Sequence, residues 1–126
     1  MDTKFWGPSG WKFLHLVAYS YPNNPSENDK ITYKKFYKSL DTILPCKYCR
    51  QSLQLFYKQL PIDEYLHNKE LLTEWIYLIH NKVNNKLRNQ GLLKKSNPQK
   101  KEIDKIYKNI LKNNKCKYEY LGWEFF

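Results

Sequence analysis

Cys46-Lys47-Tyr48-Cys49 sets two thiols at Cys-x-x-Cys spacing, directly after Pro45 and just ahead of a helical pattern. Two thiols so placed can close a disulfide, ligate a metal, or exchange disulfides with another protein. At a helix N-terminus they meet the positive end of the helix dipole and unpaired backbone N–H groups. Both favour thiolate, the form of cysteine that attacks and ligates. The motif alone does not choose among these chemistries.

Two further rows of residues have chemical potential. At 100° per residue, His80, Asn84 and Leu87 fall within about 60° of one another, with Val83 beside them. His80 and Asn84 therefore flank an apolar stripe, where hydrogen-bonding groups need partners. A lone histidine there is more often a satisfied core residue. The block His80-Asn81-x-Val83-Asn84-x-x-Leu87 weighs against that reading, because three polar groups converge. Trp11, His15 and Tyr19 are spaced i, i+4, i+8 and share a face of another helix. Spacing alone favours core packing with polar tips reaching outward, and equally permits one wall of a flat aromatic ligand site.

Metal ligation fits poorly. Cys46, Cys49, His15 and His80 form a nominal Cys2His2 set, but structural zinc sites bring their histidines in close pairs and these two are 65 positions apart. No metal is expected. A thioredoxin-like reading would require βαβ units, and the chain has no credible strand signal.

The elements that must position these residues read as helices. A first runs over roughly residues 9–20, after the Gly7-Pro8-Ser9-Gly10 turn, and ends at Pro22-Asn23-Asn24-Pro25. Ser26 and Asp29 resemble a capping box opening a second, which carries Ile31, Phe36, Leu40 and Ile43 to about Leu44. Pro45 breaks it. A third starts near Cys46 and runs to about Leu60. The fourth is the clearest: Leu72, Ile76, Ile79, Val83 and Leu87 keep a helical rhythm, and Gly91 stands where a left-handed cap belongs. Asn97-Pro98 reads as N-cap and N1 of a fifth, with Ile103, Ile106, Tyr107, Ile110 and Leu111. The expected fold class is all-α, a four-helix bundle with an additional short fifth helix. Residues 1–126 are expected to form one domain, with a core of about 5–113 and an aromatic tail, 114–126, holding Trp123, Phe125 and Phe126.

Bulk composition narrows the class. Aromatics make up 17% of the chain, including 11 Tyr and 4 Trp, which suits a planar ligand or an aromatic-rich core. No stretch approaches the roughly 18 consecutive apolar residues of a membrane span. The opening Met1-Asp2-Thr3-Lys4 has no apolar h-region, so a cytosolic protein without a cleaved secretory signal is expected. Net charge is +10, and residues 82–117 carry 12 Lys and Arg against 2 Asp and Glu. Such a segment is either a solvated lysine-rich face or a surface for phosphate or an acidic partner. An abundance of Lys, Asn, Tyr and Ile also reflects the codon bias of an AT-rich genome. Three cysteines do not describe a disulfide-stapled secreted scaffold.

Taken in order, Trp6-Gly7-x-x-x-Trp11, His15, Cys46-x-x-Cys49, Trp75 and His80-Asn81-x-Val83-Asn84-x-x-Leu87 resemble the Erv/ALR family of FAD-linked sulfhydryl oxidases. The compact form is most similar to versions encoded by large cytoplasmic DNA viruses, and the resemblance covers about residues 5–90. It implies a helical bundle with a fifth short helix and noncovalent FAD whose isoalloxazine lies beside Cys46 and Cys49. By that pattern Cys49 lies against the flavin and Cys46 receives electrons from substrate. Trp11, His15 and Tyr19 match positions walling the flavin or adenine, and His80, Asn81, Val83, Asn84 and Leu87 match the adenine and ribose side. Lys86, with Lys82 or Arg88, is a charge partner for the pyrophosphate. Trp6 and Gly7 match the start of the site, where glycine allows close approach.

The implied reaction oxidises protein dithiols to disulfides and passes the electrons through FAD to molecular oxygen, giving hydrogen peroxide. Implied partners are a thiol-containing protein, most simply a small dithiol relay protein, and a second copy of the chain as a homodimer. The implied setting is host cytoplasm or virion, without membrane. The chain departs from the pattern in three places. The distal Cys-x-x-Cys and structural disulfide of cellular members have no counterpart, since only Cys116 remains. It is expected to be inert, ahead of a shuttle half-site or an intersubunit link. Lys4 stands nearest the place of an arginine before Trp-Gly. Arg88-Asn89 replaces an expected Gly-Lys after Leu87. Two other readings rank below: a basic helical nucleic-acid-binding protein, which leaves the Cys-x-x-Cys unexplained, and a zinc-stabilised interaction module.

Overall fold

The computed structural model describes residues 1–116, and they contain helices and no strand. A 3-10 turn (Thr3–Phe5) leads into α1 (Gly7–Tyr19), followed by α2 (Glu27–Ile43), α3 (Lys47–Gln59), a 3-10 turn (Ile62–Tyr65), α4 (Lys69–Asn89) and α5 (Lys100–Asn113). The fold is all-α. Helices α1 to α4 enclose the core, and α5 docks on α1. Trp123, Phe125 and Phe126 lie outside the described residues.

Helix ends follow local chemistry. Ser26 Oγ accepts from Asp29 N at 3.0 Å while Asp29 Oδ2 accepts from Ser26 N at 2.9 Å, a reciprocal capping box at the start of α2. Asn68 caps α4 by accepting from Leu71 N at 2.8 Å. Gly91 has φ +74°, and the bonds Leu92 N to Leu87 O and Gly91 N to Arg88 O close α4 in a Schellman motif.

The expected cap of α5 is corrected. That helix begins at Lys100 with Gln99 as N-cap and no side-chain cap bond. Asn97 is engaged elsewhere: its Oδ1 accepts from Arg88 Nη2 at 2.7 Å and its Nδ2 donates to Asn85 Oδ1 at 3.2 Å. The Pro98 carbonyl accepts from Tyr77 Oη. The two residues pin the α4–α5 connection onto α4 instead of opening α5.

The aromatic content is largely structural stitching. Tyr37 Oη reaches Leu14 O, Tyr57 Oη reaches Tyr37 O, Trp75 Nε1 reaches Leu60 O, and Tyr21 Oη reaches Leu66 O. Each ring fills buried space, and each polar tip satisfies a carbonyl of a different segment packed against it. Ala18, Leu72, Ile76 and Ile79 pack between them. No helix among the described residues is long and apolar enough to cross a membrane.

Candidate active site

Cys46 is the N-cap of α3, with Sγ accepting from Cys49 N at 3.2 Å. Cys49 therefore lies in the first helical turn. The two sulfurs are bonded, with Cα atoms 5.1 Å apart. Unpaired N–H groups and the helix dipole of α3 favour negative charge on either sulfur once the bond opens. Arg50 Nη1 donates to Leu44 O, which ties the loop before Cys46 to the helix after it.

Cys49 opens onto a cavity of about 570 Å³ between α1, α3 and α4, and Cys46 lies off its wall. The indoles of Trp6 and Trp11 face it from the N-terminal segment, and His80, Asn84 and Lys86 from α4. Gly7, Val83 and Leu87 also belong to the wall. The volume is within the range that takes cofactors and small molecules. Two buried side-chain nitrogens lack a hydrogen-bond partner among the described residues, Trp6 Nε1 and His15 Nδ1. Both belong to residues singled out from sequence, and an orphaned donor on a cavity wall suits a ligand that accepts from it.

The two histidines meet. His15 Nε2 and His80 Nδ1 are 2.9 Å apart, so one donates and the other accepts. His15 is only 2% exposed. Burial, then the charges of His80 and Lys100, pulls its pKa down to about 3, and burial pulls His80 down to about 4. Both are neutral at physiological pH. Trp11 stacks on His80 with ring centroids 3.8 Å apart and planes 3° apart. No group of three or more His, Cys, Asp or Glu able to hold a metal exists among the described residues. The histidine pair and the cysteine pair do not converge.

His15, Tyr19 and Asn81 are not on the cavity wall. The α1 row turns by about 40° at each i+4 step. Trp11 thus faces the cavity, His15 sits behind it, and Tyr19 has swung toward α5. There Tyr19 Oη donates to Asp104, which also takes a bond from Lys100. Burial raises the Tyr19 hydroxyl pKa, and the Asp104 bond raises it further. Burial alone would raise Asp104, but bonds from Lys100 and Tyr19 hold it below the usual carboxylate range. Of the three basic residues at the end of α4, Lys86 alone is on the wall, donating to Ser52 Oγ. Lys82 bonds Gln59, and Arg88 is held by Asn85, Lys95 and Asn97.

Some of this was not foreseen. Tyr107 stacks on both His15 and Tyr19, at 5.0 and 5.3 Å, and covers His15 from α5. Its place in the apolar stripe with Ile103 and Ile110 was the available signal. Ser52, one turn after Cys49, shares its cavity face. A Cβ would meet only ordinary contacts within the protein at either glycine here, 3.4 Å from the Trp6 ring at Gly10 and 3.7 Å from Thr3 at Gly7.

The family model for the Erv1 / Alr family matches residues 8–108. A probable FAD-linked sulfhydryl oxidase of Acanthamoeba polyphaga mimivirus is 42% identical over 85 residues, covering 67% of this chain and 59% of the relative. The mitochondrial FAD-linked sulfhydryl oxidase of Saccharomyces cerevisiae is 34% identical over 87 residues, covering 69% and 45%. The chain spans about half the length of these relatives. The crystal structure of the FAD-binding domain of Erv1 from Saccharomyces cerevisiae superposes with a TM-score of 0.76 at 31% identity, covering 86% of this chain and 96% of that one. By family match, fold and shared sequence, this chain belongs to the Erv1 / Alr family.

Proposed function

We propose that this chain is a FAD-dependent thiol oxidase that makes disulfides in protein substrates, acting as one FAD-binding domain. The observation that carries the reading is Cys49: one sulfur of a bonded Cys46–Cys49 pair walls a cavity of cofactor size, and its partner does not. Relatives named FAD-linked sulfhydryl oxidases support it. The alternative readings, a nucleic-acid-binding protein or a zinc module, give that arrangement no role.

The cavity residues fit the flavin nucleotide. Trp11 and His80 offer flat faces, Lys86 a cation for phosphate, and Trp6 Nε1 an unused donor. Gly7, Val83, Asn84 and Leu87 complete the wall, His15 backs it through its bond to His80, and Tyr19 and Asn81 lie off it. Neutral His15 and His80 leave the aromatic end of the site uncharged. Bound FAD would supply the chemistry that cysteine lacks, taking two electrons from the Cys46–Cys49 dithiol and passing them to oxygen as hydrogen peroxide.

The protein's own steps are thiol chemistry. A substrate thiolate attacks Cys46 Sγ, a new substrate–Cys46 disulfide forms, and Cys49 leaves as thiolate at the α3 N-terminus. The second substrate thiolate attacks the substrate sulfur of that mixed disulfide and releases Cys46. Substrate leaves oxidised by two electrons, and its two protons pass to solvent.

The natural substrate is a dithiol protein, most simply a small relay protein, because reducing the Cys46–Cys49 disulfide takes two thiols from another molecule. Viral relatives support a viral protein; host cytoplasm or virion as its setting, and a homodimer as its assembly, are part of the proposal. The test is flavin content together with dithiol-dependent oxygen uptake. Purified protein should be yellow and consume oxygen with dithiothreitol, and Cys49→Ser should keep the colour and lose the uptake. Protein that takes up no FAD on reconstitution contradicts the reading.

A further inference from the structure

The surface around the outward-facing sulfur has its own chemistry. Cys46 is half-buried, but Ile43, three residues before it, is 66% exposed, and Tyr48, two residues after it, is 71% exposed. Pro45 and Lys47 between them are exposed as well. Single exposed apolar side chains are ordinary, but these flank the one atom that a substrate must reach. The Arg50 bond to Leu44 O holds this loop against α3, so the patch is presented on a fixed backbone.

Charge on this patch is one-sided. From Thr42 to Ile62 the chain contains Lys47, Arg50 and Lys58 and no Asp or Glu. The nearest preceding carboxylate, Asp41, is half-buried and accepts from Thr42 Oγ1. Lys47 makes no ion pair with an Asp or Glu among the described residues, and it is exposed beside the redox disulfide. A positive field there also favours the incoming thiolate over the thiol.

We propose that Ile43, Lys47 and Tyr48 form the docking surface for the protein substrate, and that they select a cysteine with an apolar side chain on one flank and a carboxylate on the other. This rests on the thiol-oxidase reading above. A thiolate must approach Cys46 Sγ along the line of the disulfide, away from Cys49. That approach carries the residues next to the substrate cysteine across the patch. The apolar flank covers Ile43 and the Tyr48 ring, and the carboxylate meets Lys47. Binding held by flanking residues appears as a lower KM for substrates that have them and leaves small dithiols indifferent.

The probes are two reduced dithiol peptides of equal length, one with Phe and Glu flanking the first cysteine and one with Ser and Lys. Dithiothreitol is the reference. With flavin-loaded protein, the Phe/Glu peptide should have a kcat/KM about tenfold or more above the Ser/Lys peptide, mostly in KM and shrinking with added salt. Ile43→Ser should cut that ratio severalfold, Lys47→Glu should bring it to one or invert it, and Lys47→Arg should restore it. Because a ratio is read, loss of folded or flavin-loaded protein cancels. Equal kcat/KM for both peptides while dithiothreitol is oxidised overturns the docking surface and leaves the oxidase reading standing. No oxidation of dithiothreitol overturns both. If Ile43→Ser dissociates a dimer in sedimentation and leaves the peptide ratio unchanged, the patch belongs to a second copy and the proposal fails.

Discussion

His15 and His80, 65 positions apart in sequence, meet through Nε2 and Nδ1 at 2.9 Å between α1 and α4. Trp11 stacks on one and Tyr107 on the other. Four aromatic side chains from three helices thus form two stacked pairs joined by the hydrogen bond between the histidines, whose rings are tilted by 42° and both uncharged.

That neutrality has a pH signature. Unfolded histidine titrates near 6.5, whereas these are pulled down to about 3 and about 4. Above pH 6.5 neither folded nor unfolded chain binds the proton, and this contribution to stability is complete. As pH falls, the unfolded chain takes up protons that the folded chain refuses, so stability is lost, continuing until pH reaches the folded values. The expected loss is about 1–3 kcal/mol between pH 7 and 5, read from urea midpoints. His15→Gln should be less stable at pH 7 and flatter over that range. An unchanged slope would contradict the buried neutral pair.

Trp11→Ala removes the ring parallel to His80. FAD affinity should fall by at least about tenfold, measured by flavin release under dilution. Lys82→Ala, whose ammonium bonds Gln59 instead of facing the cavity, should change that affinity little. Lys86→Ala should weaken it clearly.

Tyr19 anchors α5. Its bond to Asp104 is the polar link between the α1 row and the helix that carries Tyr107. Tyr19→Phe should cost about 1 kcal/mol, and a double-mutant cycle with Asp104→Ala, which removes the acceptor, should return a coupling of similar size. Additive effects would mean that the two groups do not interact.

Gly91 tests the end of α4 in isolation. A Cβ there would touch nothing within 4 Å, yet φ is +74°. Gly91→Ala should therefore destabilise by about 1 kcal/mol through backbone conformation alone, with flavin content unchanged. Thermal unfolding reads this directly.

Much of the fold was legible because its determinants are local. Ser26 and Asp29 cap as their spacing suggests, Gly91 ends α4, and Leu72, Ile76 and Ile79 are buried at the positions their rhythm marks. Asn97-Pro98 misled because the Asn97 side chain is taken by Arg88 and Asn85, a tertiary choice that local preference does not contain. The site was legible by residue type but not by placement. Trp11, His15 and Tyr19 read as one row, yet helical drift of about 40° per step sends them to the cavity, to His80 and to Asp104. Tyr107 and Ser52 were missed because their importance depends on how α5 crosses α1 and on which face of α3 meets Lys86.

Anaerobic reduction of the bound flavin tests the central claim most directly, because it isolates electron transfer through Cys46–Cys49 from the reaction with oxygen. Excess dithiothreitol should bleach the flavin of the unaltered protein within the time of turnover, and should leave the flavin of Cys49→Ser oxidised. Equal bleaching in both proteins would contradict passage of electrons through Cys49.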